Sequence, residues 1–137
     1  MVTAGRTRTA TGITVSIARD PALVRTVRLV AAAVARRRSR DEEFVEEVRL
    51  AVGEACALLV GQPTLPGQDS GPVEVRMLLQ DRLRVTVTAD GSISAEDAPT
   101  GDIDGVEPWA LLRGLIDDFE ISHEHRSTTL SMSWALA

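Results

Sequence analysis

Hydrophobic residues alternate with polar ones in five short stretches of the chain, a pattern typical of strands that bury one face. The stretches lie at residues 13–17, 73–79, 83–89, 119–121 and 130–136. Gln80 and Asp81 separate the second stretch from the third, which predicts an antiparallel hairpin. The pattern as a whole predicts a sheet of about five strands.

Two further stretches repeat apolar residues at helical spacing. Asp20 is a capping residue that stands before Pro21, so a helix is predicted over residues 20–38. Its core-facing residues are predicted to be Leu23, Val27, Val30, Ala31 and Val34. Asp41 is predicted to cap a second helix, which is ended by Gly61, Pro63 and Pro66. The apolar stripe of the second helix is Phe44, Val48, Ala51, Val52, Ala55 and Leu59.

The remaining segments set the domain limits. Residues 1–12 are small, polar and without periodicity, so a flexible tail is expected there and one domain over residues 13–137. Residues 90–107 hold six acids and no base and predict a long loop, after which Pro108 opens a short helix to about Asp117. This order predicts an α+β two-layer sandwich, in which a mostly antiparallel mixed sheet carries the helices on one face.

Composition narrows the class of protein. The 137 residues are 44% hydrophobic, enough for one core, and the four aromatic residues are few for stacking on nucleic-acid bases. No apolar run reaches the roughly 18 residues of a membrane span, and the N-terminus lacks a signal-peptide core, so a cytoplasmic location is expected. Cys56 is the one cysteine, which excludes an internal disulfide and a cysteine zinc cluster.

Charge is distributed unevenly along the chain. The net charge is −5, yet residues 1–40 carry nine Arg and one Asp. Arg25, Leu29, Ala32 and Arg36 are predicted to line the outward face of the first helix, a mixture that suits contact with another protein. An Arg-rich surface with no partner is the alternative. The arginines at residues 36–40 lie at the predicted C-terminus of this helix, where the helix dipole stabilises positive charge. A phosphate-binding patch is the alternative.

No metal-binding or catalytic role is predicted for the two histidines or for the adjacent aspartates near the C-terminus. His123 and His125 would point the same way from a strand, but no third ligand is near in sequence, so no metal site is expected. Asp117 and Asp118 are adjacent and diverge, which argues against paired catalytic carboxylates.

Residues 48–56, which read VRLAVGEAC, resemble the N-box helix of the anti-sigma-factor serine kinases, a branch of the histidine-kinase-like ATPases. Residues 115–121 and 127–129 resemble the final helix and strands of the same family. The resemblance covers about residues 13–137 and implies the histidine-kinase-like ATPase (Bergerat) fold. It also implies homodimers built around the first strand and helix.

The resemblance makes Glu54 the counterpart of the general base that activates a substrate serine. Leu58 stands where the family has the asparagine that binds magnesium, and leucine offers no oxygen ligand. In the register that retains Gly91, Ala89 replaces the aspartate that binds adenine. Asp90, Gly91 and Thr128 are therefore expected to be remnants of nucleotide binding.

The glycine boxes also depart from the family pattern. Ile93 replaces the second glycine after the hairpin, and Val106-Glu107-Pro108 replaces the Gly-x-Gly of the ATP lid, where backbone N–H groups normally approach the phosphates. Carboxylates in the lid would repel a triphosphate. No cofactor is expected.

The expected function is that of an anti-sigma-factor-like regulator which binds a sigma factor, a STAS-domain antagonist, or both, without nucleic acid or membrane. Family precedent places an arginine of the first helix in this contact, and Arg25 matches it. The alternative is an active ATP-dependent serine kinase, with lid acids such as Asp102 or Asp104 holding magnesium. A third alternative is an obligate subunit of a larger assembly.

Overall fold

A computed structural model describes residues 11–61, 71–90, 118–124 and 126–136, with the backbone alone at Thr11 and His123. The described elements are β1 (Thr11–Ile17), a 3-10 turn (Pro21–Leu23), α1 (Val24–Arg36), α2 (Glu42–Val60), β2 (Val73–Leu79), β3 (Arg82–Asp90), β4 (Asp118–Glu124) and β5 (Ser127–Ala135). Because β1 begins at Thr11, the prediction that residues 11 and 12 belong to a tail is wrong.

Several predictions fall outside the described residues. These are the loop after Asp90, the short helix, and the positions of Pro63, Pro66, Gly91, Ile93, Asp102, Asp104, Val106, Glu107, Pro108, Asp117 and His125.

The five strands form one sheet in the order β1-β2-β3-β5-β4, and each pair of neighbours is antiparallel. The predicted hairpin joins β2 to β3, and its turn is closed by the Gln80 nitrogen, which donates to the Arg82 oxygen at 3.0 Å. Val75 pairs with Val87 in the centre of the sheet, where both side chains are fully buried. The alternation therefore predicted both the strands and the face they bury.

The predicted cap Asp41 begins α2, whereas the predicted cap Asp20 begins a 3-10 turn, so α1 itself starts at Val24, later than predicted. The Asp20 carboxylate accepts from the Ala22 nitrogen at 2.9 Å, and a 3-10 turn leads from there into α1. The Asp41 carboxylate accepts from the Glu43 nitrogen at 3.0 Å, and Gly61 ends α2. These bonds satisfy backbone groups that a helix end would otherwise leave unpaired.

Both helices lie on one face of the sheet, with α1 packed on α2 and on β2, and α2 on β2 and β3. The buried side chains between the layers are almost all Val, Leu, Ala and Met. The other face of the sheet is polar, and a groove of about 520 Å³ there is lined partly by Arg84, Thr86, Asp118 and Ser131. The α+β two-layer sandwich is thus confirmed. No helix among the described residues is long and apolar enough to cross a membrane.

One predicted orientation in α1 is wrong. Ala32 is only 4% exposed and belongs to the core, whereas Arg25, one heptad earlier, is exposed. Residues 25 and 32 both lie at the boundary between the buried and exposed sides of the helix. The methyl group of Ala32 is covered by neighbouring residues, whereas the longer side chain of Arg25 extends into solvent.

Candidate functional site

The first candidate site is the flank of α2 that carries Glu54 and Leu58. These residues are four apart, so their side chains lie on one side of the helix, and both are half-buried. The carboxylate of Glu54 is the one polar group of the pair. Leu58 provides an apolar surface where an oxygen ligand would be needed to hold magnesium.

The ends of β3 and β5 provide the second part of this site. Ala89 pairs directly with Thr128, and both side chains are buried on the face that carries the helices, with exposures of 5% and 1%. Asp90 is exposed on the opposite face, where its carboxylate accepts from the Ser127 hydroxyl at 2.8 Å. The structure therefore brings Thr128 together with Ala89 and separates it from the carboxylate of Asp90.

Arg19 joins the segments next to this site. Its Nε donates to the Gly71 oxygen at 3.1 Å, and its guanidinium also donates to the backbone oxygen of Asp90. Gly71 has a φ of +64°, a left-handed conformation that favours glycine. One side chain thus ties the end of β1 to the start of β2 and the end of β3. Sequence periodicity gave no indication of this link.

Within the described part of the chain, no three His, Cys, Asp or Glu side chains come close enough to hold a metal ion. The thiol of Cys56 is fully buried in α2. Burial raises the pKa of this thiol to about 11, against a smaller opposing effect of the nearby Arg28 charge. Cys56 is therefore a protonated core residue at neutral pH.

The second candidate site is the outward surface of α1. Arg25 is exposed, and Leu29 is 62% exposed, the highest value among the large hydrophobic residues described. Arg36 is also exposed, but its guanidinium lies 3.5 Å from the Glu42 carboxylate in a surface ion pair. Ala32 lies beneath this surface. Three of the four predicted residues therefore remain available to a partner, with Arg36 partly neutralised.

Sequence reasoning missed Arg28, which lies over Gly53 between the helices. A Cβ added at Gly53 would come within 2.7 Å of the Arg28 Cγ, so this packing requires a residue without a side chain. The Arg28 Nε is buried and has no hydrogen-bond partner among the described residues. The glycine in the middle of α2 was the available signal, since an interior glycine often marks a close approach.

Two helices on one face of an antiparallel sheet, with Glu54 on α2 and Thr128 on the helix side of the sheet, agree with the arrangement expected of a histidine-kinase-like ATPase domain. The family model of the histidine kinase-like ATPase domain matches residues 17–134, and the chain belongs to this family. The predicted resemblance is confirmed at this level.

The fold is similar to that in the crystal structure of the RsbU and RsbW domains of Rv1364c from Mycobacterium tuberculosis, with a TM-score of 0.70 and 16% sequence identity. The similarity covers 92% of this chain and 32% of that chain, so the present chain spans about a third of its length. A search of curated proteins gives no match.

Proposed function

We propose that this protein is an anti-sigma-factor-like regulator that binds a sigma factor or a STAS-domain antagonist through the outward surface of α1. The observation that carries the proposal is the exposed combination of Arg25 and Leu29 on a helix without any acidic residue. Arginine is enriched at protein interfaces, where it makes directional hydrogen bonds, and an exposed leucine loses its contact with water when a partner covers it.

Loss of nucleotide binding is the second part of the proposal. Leu58 and Ala89 occupy the two positions where the resembled kinases place a magnesium ligand and an adenine ligand, and neither side chain has a polar atom. The carboxylate of Asp90, on the other face of the sheet, does not replace the missing aspartate. A metal–triphosphate complex that lacks these ligands has little to offset its desolvation.

An active serine kinase is the second candidate, and the half-buried Glu54 favours it. A carboxylate there has the correct residue type for a general base, provided that a nucleotide and a serine are placed next to it. Phosphoryl transfer from Mg-ATP to a purified STAS-domain protein would support this function over the non-catalytic one.

Co-purification from the native host tests the proposed function. A tagged wild-type chain should recover a sigma factor or a STAS-domain protein, and Arg25→Glu should weaken binding of that protein at least tenfold, equivalent to about 1.4 kcal/mol. Arg76→Glu is the matched control, because Arg76 is exposed on the opposite face of the sheet. Recovery of neither class of partner, or equal binding by the Arg25 variant, would contradict the proposal.

A further inference from the structure

The segment that joins β1 to α1 is not held in place by burial of its side chains. Its 3-10 turn (Pro21–Leu23) contains no buried residue, and burial begins only with Val24 of α1. The Asp20 carboxylate and backbone oxygen accept from the nitrogens of Ala22 and Leu23 respectively. These bonds are local, so they stabilise the shape of the turn without fixing its position on the sheet.

Arg19 connects this segment to the sheet. It directly precedes the cap Asp20, and its guanidinium group donates to the backbone oxygen of Gly71, just before β2, and to that of Asp90, at the end of β3. A charged donor makes stronger hydrogen bonds than a neutral one, and the planar guanidinium directs them at fixed angles. These contacts therefore fix where the turn lies.

The sheet holds both acceptors of Arg19 in place. Val73 pairs with Ala89 in the register of β2 and β3, and both side chains are buried. Asp90 pairs with Ser127 of β5, whose hydroxyl donates to the Asp90 carboxylate at 2.8 Å. Gly71 has a φ of +64°, so the direction of its carbonyl depends on a conformation that favours glycine. Arg19 thus reaches from the start of the helical layer to a rigid end of the sheet.

The proposed partner surface begins immediately after this turn. Arg25 is the second residue of α1 and follows Arg19 by six residues. Helix ends fray more readily than helix interiors. A surface that is already ordered loses less entropy when a partner binds. The order and position of Arg25 therefore depend on how the preceding turn is held.

We propose that Arg19 is a positioning residue for the partner surface, because it holds the start of α1 against the sheet in the conformation that the partner binds. Arg25 makes the contact, and Arg19 acts through the turn between them. This inference rests on the proposed function and deepens it, since it assigns a role in partner binding to contacts at the ends of β2 and β3.

Hydrogen exchange of the free full chain tests whether Arg19 holds the turn. Arg19→Met keeps a long side chain and removes its donors. Relative to the buried pair Val75 and Val87, exchange at the amides of residues 22–24 should become at least about tenfold faster. Arg76→Met is the matched control, since Arg76 is exposed on the other face of the sheet, and it should exchange as wild type does.

Gly71→Ala changes an acceptor and leaves Arg19 in place. Alanine is strained at a φ of +64°, so the carbonyl should shift, and exchange at residues 22–24 should rise although they are distant in sequence. The double variant should exchange no faster there than Arg19→Met alone, because both changes break the same contact. Gly12→Ala is the control, since an added Cβ would lie 3.7 Å from the Leu78 Cδ1, an ordinary contact.

Titration of the sigma factor or STAS-domain protein recovered with the wild-type chain tests the role in binding. Arg19→Met and Gly71→Ala should each weaken binding about fivefold to tenfold, because the partner then has to order the turn. Arg19→Lys should lie between them and wild type, since lysine keeps the charge but lacks the planar group.

Two kinds of failure can be distinguished. If Arg19→Met or Gly71→Ala keeps wild-type exchange at residues 22–24, or wild-type affinity for the partner, the inference is overturned. The proposed function then stands as long as Arg25→Glu weakens binding. If the wild-type chain recovers neither class of partner, both are overturned, whatever the exchange result.

Discussion

Helix α2 has two flanks that carry different kinds of side chain. One flank carries Glu54 and Leu58, which the family resemblance places at a nucleotide site that needs several ligands together. The other carries Gly53, over which the Arg28 side chain of α1 packs, next in sequence to the exposed Leu29. Under the proposed function, the first flank lacks groups that a nucleotide needs, and the surface of α1 beside the second flank carries groups that a protein partner would contact.

The difference shows how the two kinds of site depend on sequence. A metal–triphosphate site requires its oxygen ligands and close backbone approach at the same time, so apolar residues such as Leu58 and Ala89 at two ligand positions would remove most of the binding. A protein-binding surface depends on a few central side chains, and neighbouring positions tolerate substitution. One helix can therefore lose the first site and keep the second.

The largest expected effect is on the free energy of unfolding and comes from Cys56, which is buried in α2. The pKa of Cys56 is raised from 9.0 to about 11 in the folded chain, so the folded state binds a proton that the unfolded state releases between these values. Stability should be fully present below about pH 9 and fall by about 2 to 3 kcal/mol as the pH rises through 11.

Urea unfolding at pH 8 and pH 10.5 measures this loss. The chain contains no Tyr and no Lys, so few other groups titrate in this window. Cys56→Ala should remove the pH dependence, and an equal loss in that variant would show that another group is responsible.

A second prediction concerns Ala89 of β3, where the resembled kinases have an aspartate. Ala89→Asp places a charge at a position that is 5% exposed and faces the helices, which should cost about 1 to 3 kcal/mol of unfolding free energy. Thr14→Asp is the control, because Thr14 is exposed and pairs with Arg76. Urea unfolding measures both. Stabilisation of the Ala89→Asp variant, but not of wild type, by Mg-ATP would show that the aspartate alone restores nucleotide binding.

A third prediction separates stability from binding. Asp41→Ala removes the side-chain acceptor at the start of α2 and should lower the unfolding free energy by about 1 kcal/mol. Affinity for the partner should be unchanged at temperatures where the variant is folded, because Asp41 lies beside the end of α1 opposite to Arg25. Glu43→Gln retains the capped backbone nitrogen and should match wild type in thermal melts.

The smallest effect is expected at the remaining acid of the first flank. Glu54→Gln keeps the size of a half-buried side chain and should change the unfolding free energy by less than about 0.5 kcal/mol. Partner affinity should also be unchanged. An active kinase would instead lose phosphoryl transfer to the STAS-domain serine, which a phosphorylation assay with radiolabelled ATP would detect.

Local signals predicted most of the described fold. The alternation at Val75 and Val87 identified the hairpin and its buried face, and Asp41 marked the start of α2, because strand alternation and caps depend on residues close in sequence. Ala32 was assigned to the wrong side because helical periodicity does not say how far a neighbouring layer covers a boundary position.

The candidate sites were harder to predict than the fold, because they depend on contacts between residues that are distant in sequence. The family resemblance located Glu54 and Thr128, but only the strand register showed that Asp90 points away from Thr128. The contact between Arg28 and Gly53 joins two helices and has no periodic signature. Such contacts follow from how elements pack, which a single sequence does not specify.

Calorimetric titration of the wild-type chain with Mg-ATP tests the central claim, which is that the nucleotide site has lost its ligands. We predict that titration up to about 1 mM nucleotide gives no saturable heat, which corresponds to a binding free energy weaker than about −4 kcal/mol. A magnesium-dependent, one-to-one isotherm with a Kd near 1 μM, about −8 kcal/mol, would contradict it.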